Sequence, residues 1–140
     1  MKHFLIIATL LSIFVACEKE PLEEELPEPT EQTSMDEGTM IRMASFEDRV
    51  HPTSGEARIL KIDESYFLEL KDFQTDNGPA LKVYLSSEEN PRDFIDLGDL
   101  KATSGTFNYE IGADLDLETY PLVLIWCERF SVLFGVAEFE

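Results

Sequence analysis

Tyr120–Phe139, YPLVLIWCERFSVLFGVAEF, decides the fold. From Pro121 to Cys127 every residue is apolar, and most are β-branched, aromatic or leucine, which fits a strand covered on both faces better than a surface strand. This stretch reads as the central strand of a β-protein. Glu128 and Arg129 interrupt the run before Phe130–Phe134 resumes it, so a turn or bulge there lets a second strand pair back or cross to an opposing sheet. The stretch also holds the only tryptophan, Trp126, and beside it Cys127, one of two cysteines.

The remainder of the chain has the spacing of an all-β domain. Thr39–Phe46, Glu56–Ile62, Tyr66–Phe73, Ala80–Ser86, Phe94–Leu97 and Thr106–Ile111 each read as a strand, and Glu47–Gly55 must turn. In Tyr66–Phe73 the alternation puts Tyr66, Leu68 and Leu70 toward the core and Phe73 on the other side. In the next strand Leu81, Val83 and Leu85 share a face. Asp76-Asn77-Gly78-Pro79 is a turn signal, because Asn and Gly tolerate positive φ and Pro fixes the exit direction. About eight short strands between such turns argue for one antiparallel β-sandwich over residues 38–140. Thr-Ser-Gly occurs at 53–55 and again at 103–105, but the flanks differ, so shared turn chemistry explains it better than an internal repeat.

Residues 1–37 read differently. Residues 1–16 have a basic start at Lys2 and an apolar run too short to span a bilayer, the pattern of a secretory signal. The run ends in Phe14-Val15-Ala16-Cys17, which resembles the lipobox of bacterial lipoproteins and implies lipidation of Cys17. Glu18–Glu37 carries nine acidic residues, one basic residue and three prolines, and is expected to be a disordered tether reaching at most about 60 Å. The expected localisation is the cell envelope, at the outer membrane or cell surface, with the membrane engaged through Cys17.

Of the formal charge of −18 on 140 residues, −11 remains in residues 38–140. A surface of that sign repels nucleic acid and suits a cationic partner. With Cys17 lipidated, Cys127 has no intramolecular disulfide partner.

Taken in order, the segments resemble the DM-thirteen domain family, a β-rich electron-transfer domain found with DOMON domains. The matching stretches are His51–Gly55, Leu68–Phe73, Gly78–Ser86, Asp96–Lys101, Gly105–Tyr109 and Val123–Ala137, spanning about Met40 to Phe139. The resemblance implies a β-sandwich and a redox role for Cys127, as a bare thiol or as ligand to a group such as haem, with the Gly78-Pro79 pair in the motif. It also implies an aspartate after Gly-Pro, where this chain has Ala80.

Read on their own, the candidate residues leave alternatives open. A reactive thiol needs nearby cations and access to solvent. Strand alternation puts Arg129 on the face of Cys127, but burial in an apolar strand would leave the thiol an inert small hydrophobe. His51 is the histidine left outside the signal segment, in a polar turn, either exposed or a second ligand with Cys127 to haem iron or another metal. Met35, Met40 and Met43 are further soft ligands. Trp126 reads as core, or as shield for a redox centre. Asp114, Asp116 and Glu118 lack the glycine and remaining ligands of a calcium loop. No nucleophile–base arrangement is visible, so an enzyme is the least supported class. The alternative to electron transfer is a non-catalytic surface binding module, with Cys127 and Trp126 in the core and the loops at His51, Asn77–Pro79 and Ser86–Arg92 recognising the partner.

Overall fold

Leu122–Cys127 is the middle strand of a five-stranded antiparallel sheet, with partners on both sides and apolar neighbours on both faces. The computed structural model describes residues 38–140; the signal segment, Cys17, Met35 and the acidic stretch lie outside the described residues. Nine strands run in order: β1 (Thr39–Ser45), β2 (Glu47–Asp48), β3 (Thr53–Ile62), β4 (Ser65–Thr75), β5 (Leu81–Ser86), β6 (Phe94–Asp99), β7 (Ser104–Gly112), β8 (Leu122–Cys127) and β9 (Val132–Glu138). One sheet has the order β1-β3-β4-β7, the other β2-β9-β8-β5-β6, and all pairings are antiparallel. The inward residues of the two sheets, among them Ala57, Ile59, Leu68, Leu70, Val83, Leu85, Val123 and Ile125, are completely buried and form one core. This is the expected all-β sandwich.

The double coverage of β8 has a specific cause. Its outward residues Leu122 and Leu124 pack with Tyr84 and Val136, flanked by Trp126 and Leu133. Beside Val136 the Arg49 guanidinium reaches Glu89 in the β5–β6 connection through two nitrogens, at 3.0 and 2.5 Å.

Several strands extend further than the sequence suggests. Thr53–Gly55, expected in the turn, opens β3, because Thr53 and Ser54 pair with Thr75 and Gln74. β6 continues to Asp99, and β7 starts at Ser104. Phe73 is a correction: it is buried in the core and not on the opposite side. The β4–β7 register shifts between Leu70 and Phe73, with Asp72 at φ 48°, and the inserted residue returns Phe73 to the inner face.

The two Thr-Ser-Gly triplets lie on either side of the end of β4. Ser54 and Ser104 both pair with Gln74. Thr53 bonds Thr75 through their hydroxyls at 3.1 Å, and the Thr103 carbonyl accepts from Thr75 N at 2.9 Å. Gly55 and Gly105 both take positive φ beside Phe73. The repeated triplet is thus shared local chemistry, used twice to hold one strand end.

Candidate functional site

β8 delivers Cys127 to one end of the sandwich, paired with Leu81 on one side and Val132 on the other. Its side chain points inward with Val123 and Ile125 and is fully buried. The Sγ donates to the carbonyl oxygen of Pro79 at 3.1 Å, and next to it Glu128 N donates to the carbonyl of Ala80 at 3.0 Å. The thiol is therefore covered by the backbone of the β4–β5 connection, Asp76–Ala80.

That connection is held from its other side by Phe134. A Cβ on Gly78 would lie 2.7 Å from the Phe134 ring, so only glycine permits this approach. The opposite partner of the ring is His51, stacked at a centroid distance of 3.9 Å and an interplanar angle of 29°. His51 Nδ1 is 3.0 Å from Asp76 Oδ2, and the carboxylate accepts the Nδ1 proton. His51, Phe134, Asp76, Gly78, Pro79 and Cys127 thus form a connected set built on β8, β9 and the two connections, β2–β3 and β4–β5, that cross between the sheets. Turn chemistry in this connection differs from expectation: the positive φ belongs to Ala80, at 54°, and not to Asn77 or Gly78.

The other candidates fall elsewhere. Trp126 faces outward, opposite to Cys127, in the layer with Leu124 and Leu133. Arg129 does not share the face of Cys127; strand alternation ends at Cys127, and residues 128–131 form the hairpin turn, where the guanidinium lies 5.9 Å from the centroid of the exposed Phe130 ring. Met40 and Met43 are exposed on the edge strand β1. Asp116 accepts from Glu118 N, Thr119 N and the Thr119 hydroxyl, which makes it a turn cap. Of the three loops grouped as a recognition surface, His51 and Asn77–Pro79 share the Cys127 end, whereas Ser86–Arg92 leaves β5 at the Leu122 end.

A haem held jointly by Cys127 and His51 does not fit this arrangement. Cys127 is sealed from solvent with its S–H engaged, and no direct contact joins it to His51 among the described residues. Nor does any group of three or more described His, Cys, Asp or Glu side chains converge to hold a metal ion. A shallow groove of about 530 Å³ borders the same connection, lined by Asn77, Gly78, Ala80, Asp99, Lys101 and Thr103 among others, but Cys127 does not line it.

A family model described as Electron transfer DM13 matches residues 45–139. The chain belongs to that family. Neither the curated proteins nor the solved structures gave a match. The DM13 match covers nearly all the described residues and includes every member of the set around Cys127.

Two members of that set escaped the sequence reading. In the sequence Phe134 is only the end of the Phe130–Phe134 run, and Asp76 part of a turn signal. The available signal was a glycine on each side of the contact: Gly78 admits the Phe134 ring, and Gly135 admits Thr53, whose side chain a Cβ at Gly135 would overlap.

Proposed function

We propose that this DM13 protein is an electron-transfer accessory of a bacterial cell envelope, tethered through lipidated Cys17, with the Cys127 thiol as its redox centre. The observation that carries the reading is the position of Cys127, the one thiol among the described residues, hydrogen-bonded to the Pro79 carbonyl at the end of the sandwich. Strand order supports the orientation. Thr39, where the segment from Cys17 enters β1, pairs with Lys61 at the end opposite to Cys127. An anchor at Cys17 is then attached at the end remote from Cys127, and a tether of that length leaves the Cys127 end free to meet a soluble redox partner. The −11 charge of residues 38–140 favours a cationic one.

Protein-film voltammetry of the protein and of Cys127→Ala tests the reading. A wave present in the parent and lost in the folded variant is expected; an absent wave, or one unchanged by the substitution, overturns it. Absorption of protein purified from haem-supplied cells is the companion measurement, and a Soret band lost in Cys127→Ala would replace the bare thiol with a ligand role.

A second reading is favoured by one observation: complete burial of Cys127 among core residues. On that reading the domain is a surface binding module, and the exposed Asp76–Pro79 connection with His51 contacts the partner. A silent electrode response, with Cys127→Ala folded but less stable, would select it.

A further inference from the structure

The Asp76–Ala80 connection carries an Asn-Gly pair, and its surroundings give that pair a chemistry of its own. We propose that Asn77–Gly78 is a site of spontaneous asparagine-to-isoaspartate conversion, and that conversion releases the connection from Cys127.

In the reaction the backbone nitrogen of Gly78 attacks the side-chain amide carbon of Asn77. An N–C bond forms, the nitrogen loses its proton and ammonia leaves, closing a five-membered succinimide. Water then opens the ring at either carbonyl, leaving an aspartate or an isoaspartate. Water is the only co-reactant, and no electrons are exchanged.

The step needs an asparagine followed by a residue without a bulky side chain, a free backbone N–H and a segment outside regular structure. Asn77 is exposed and lies between β4 and β5. The Gly78 N–H donates to no described residue, and the Asn77 side chain is likewise unengaged. The chain's other two asparagines serve as internal controls. Asn90 precedes Pro91, whose nitrogen has no proton to lose. Asn108 lies within β7, paired with Glu69 and followed by the bulky Tyr109.

The consequence follows from what flanks the pair. On one side Asp76 holds His51; on the other Pro79 accepts from the Cys127 thiol. An isoaspartate adds a methylene to the main chain between these two attachments and a carboxylate beside Asp76. Gly78 is already in close contact with the Phe134 ring, so the lengthened backbone cannot keep both attachments in register. The inference depends on this geometry and not on the electron-transfer reading, and its test uses no redox measurement.

The full chain is incubated at neutral pH, folded and in urea, and sampled over time for peptide mass, isoaspartate content and the rate of Cys127 modification by a maleimide under native conditions. Expected are the amide-to-acid mass shift and isoaspartate at Asn77 in the folded protein, intact Asn90 and Asn108, and Cys127 labelling that rises in step with conversion. Asn77→Gln, at an exposed side chain that makes no hydrogen bond to a described residue, should abolish both changes and leave the circular dichroism unaltered. Conversion in urea but not in the folded chain would overturn the site. Conversion with constant Cys127 labelling, or rising labelling in Asn77→Gln, would overturn the release.

Discussion

The Cys127 Sγ and the Pro79 carbonyl oxygen lie 3.1 Å apart, a hydrogen bond that joins the last residue of the central strand to the connection covering it. Because Cys127 has no exposed surface, reagents reach the thiol only when Asp76–Ala80 moves or the sandwich opens. Maleimide labelling of the folded protein should therefore be slow and become fast in urea, where the thiol is free. Fast labelling in the native state would contradict the packing. Replacing Cys127 with Ala empties part of the core and leaves the Pro79 carbonyl without this donor, at a cost of about 1–3 kcal/mol. Cys127→Ser should cost less, since its hydroxyl can donate to the same carbonyl; urea unfolding of the two variants ranks them.

Ala80 gives the opposite direction of change. Its φ of 54° is left-handed backbone, which costs an alanine roughly 1–2 kcal/mol and is tolerated better by Gly, Asn or Asp. An aspartate here, which the family resemblance implies, would thus have a conformational reason that needs no role in a site. Ala80→Asn and Ala80→Asp should each stabilise the protein by about 1 kcal/mol and raise its melting temperature. An unchanged or lowered midpoint would show that the strain is relieved some other way.

The elements that were legible in the sequence are those whose burial is decided by alternation or by an unbroken apolar run. β8 could be placed at the centre of a sheet from Leu122–Cys127 alone, and Leu81, Val83 and Leu85 could be assigned to one face, because both statements depend on local pattern. Phe73 and Arg129 were misplaced where the pattern stops: a bulge at Asp72 reverses one strand's faces, and a turn after Cys127 ends another's. The candidate site was legible as residues but not as a set. Cys127, His51, Gly78 and Pro79 were each visible, yet their connection passes through the Phe134 ring and the Asp76 carboxylate, and contacts between two connections distant in the chain leave no mark on sequence spacing.

Gly135 tests the packing at the same end. It lies on β9 against Thr53, and a Cβ there would overlap the Thr53 side chain, itself fixed by its bond to Thr75. Gly135→Ala should destabilise by about 1–3 kcal/mol through overpacking. Pairing it with Thr53→Gly, which removes the Cβ, Oγ1 and Cγ2 that the new methyl would meet, should cost less than the two single losses added together; chemical denaturation of the single and double variants measures the coupling.

The Arg49–Glu89 contact predicts an acid-side loss. Glu89 is held below the usual glutamate range first by its hydrogen bond to the Arg49 guanidinium. A carboxyl whose folded pKa is depressed stabilises the protein above its unfolded value and loses that contribution as pH falls through the folded one. Both side chains are partly exposed, so screening limits the pair to roughly 0.2–1 kcal/mol. Glu89→Gln should lower stability at neutral pH by that amount and make no difference in strong acid, as read from urea midpoints across the range. Added salt should narrow the difference at neutral pH.

Tyr109 predicts the alkaline limit. Burial pushes its hydroxyl up to about 12, opposed by the hydrogen bond it accepts from Lys101 N at 3.0 Å, while the hydroxyl donates to the Asp99 carbonyl at 3.1 Å. A tyrosine is neutral when protonated, so the raised folded value means that the folded state keeps this proton longer than the unfolded chain. Its contribution is fully present below the unfolded value of about 10 and is lost as pH rises through about 12. Absorbance titration of tyrosinate in the folded protein should show a late component that is missing in Tyr109→Phe, and the variant's urea midpoint should fall less steeply above pH 10. A Tyr109 that ionises no later than the other tyrosines would mean that the β6–β7 connection opens before the core does.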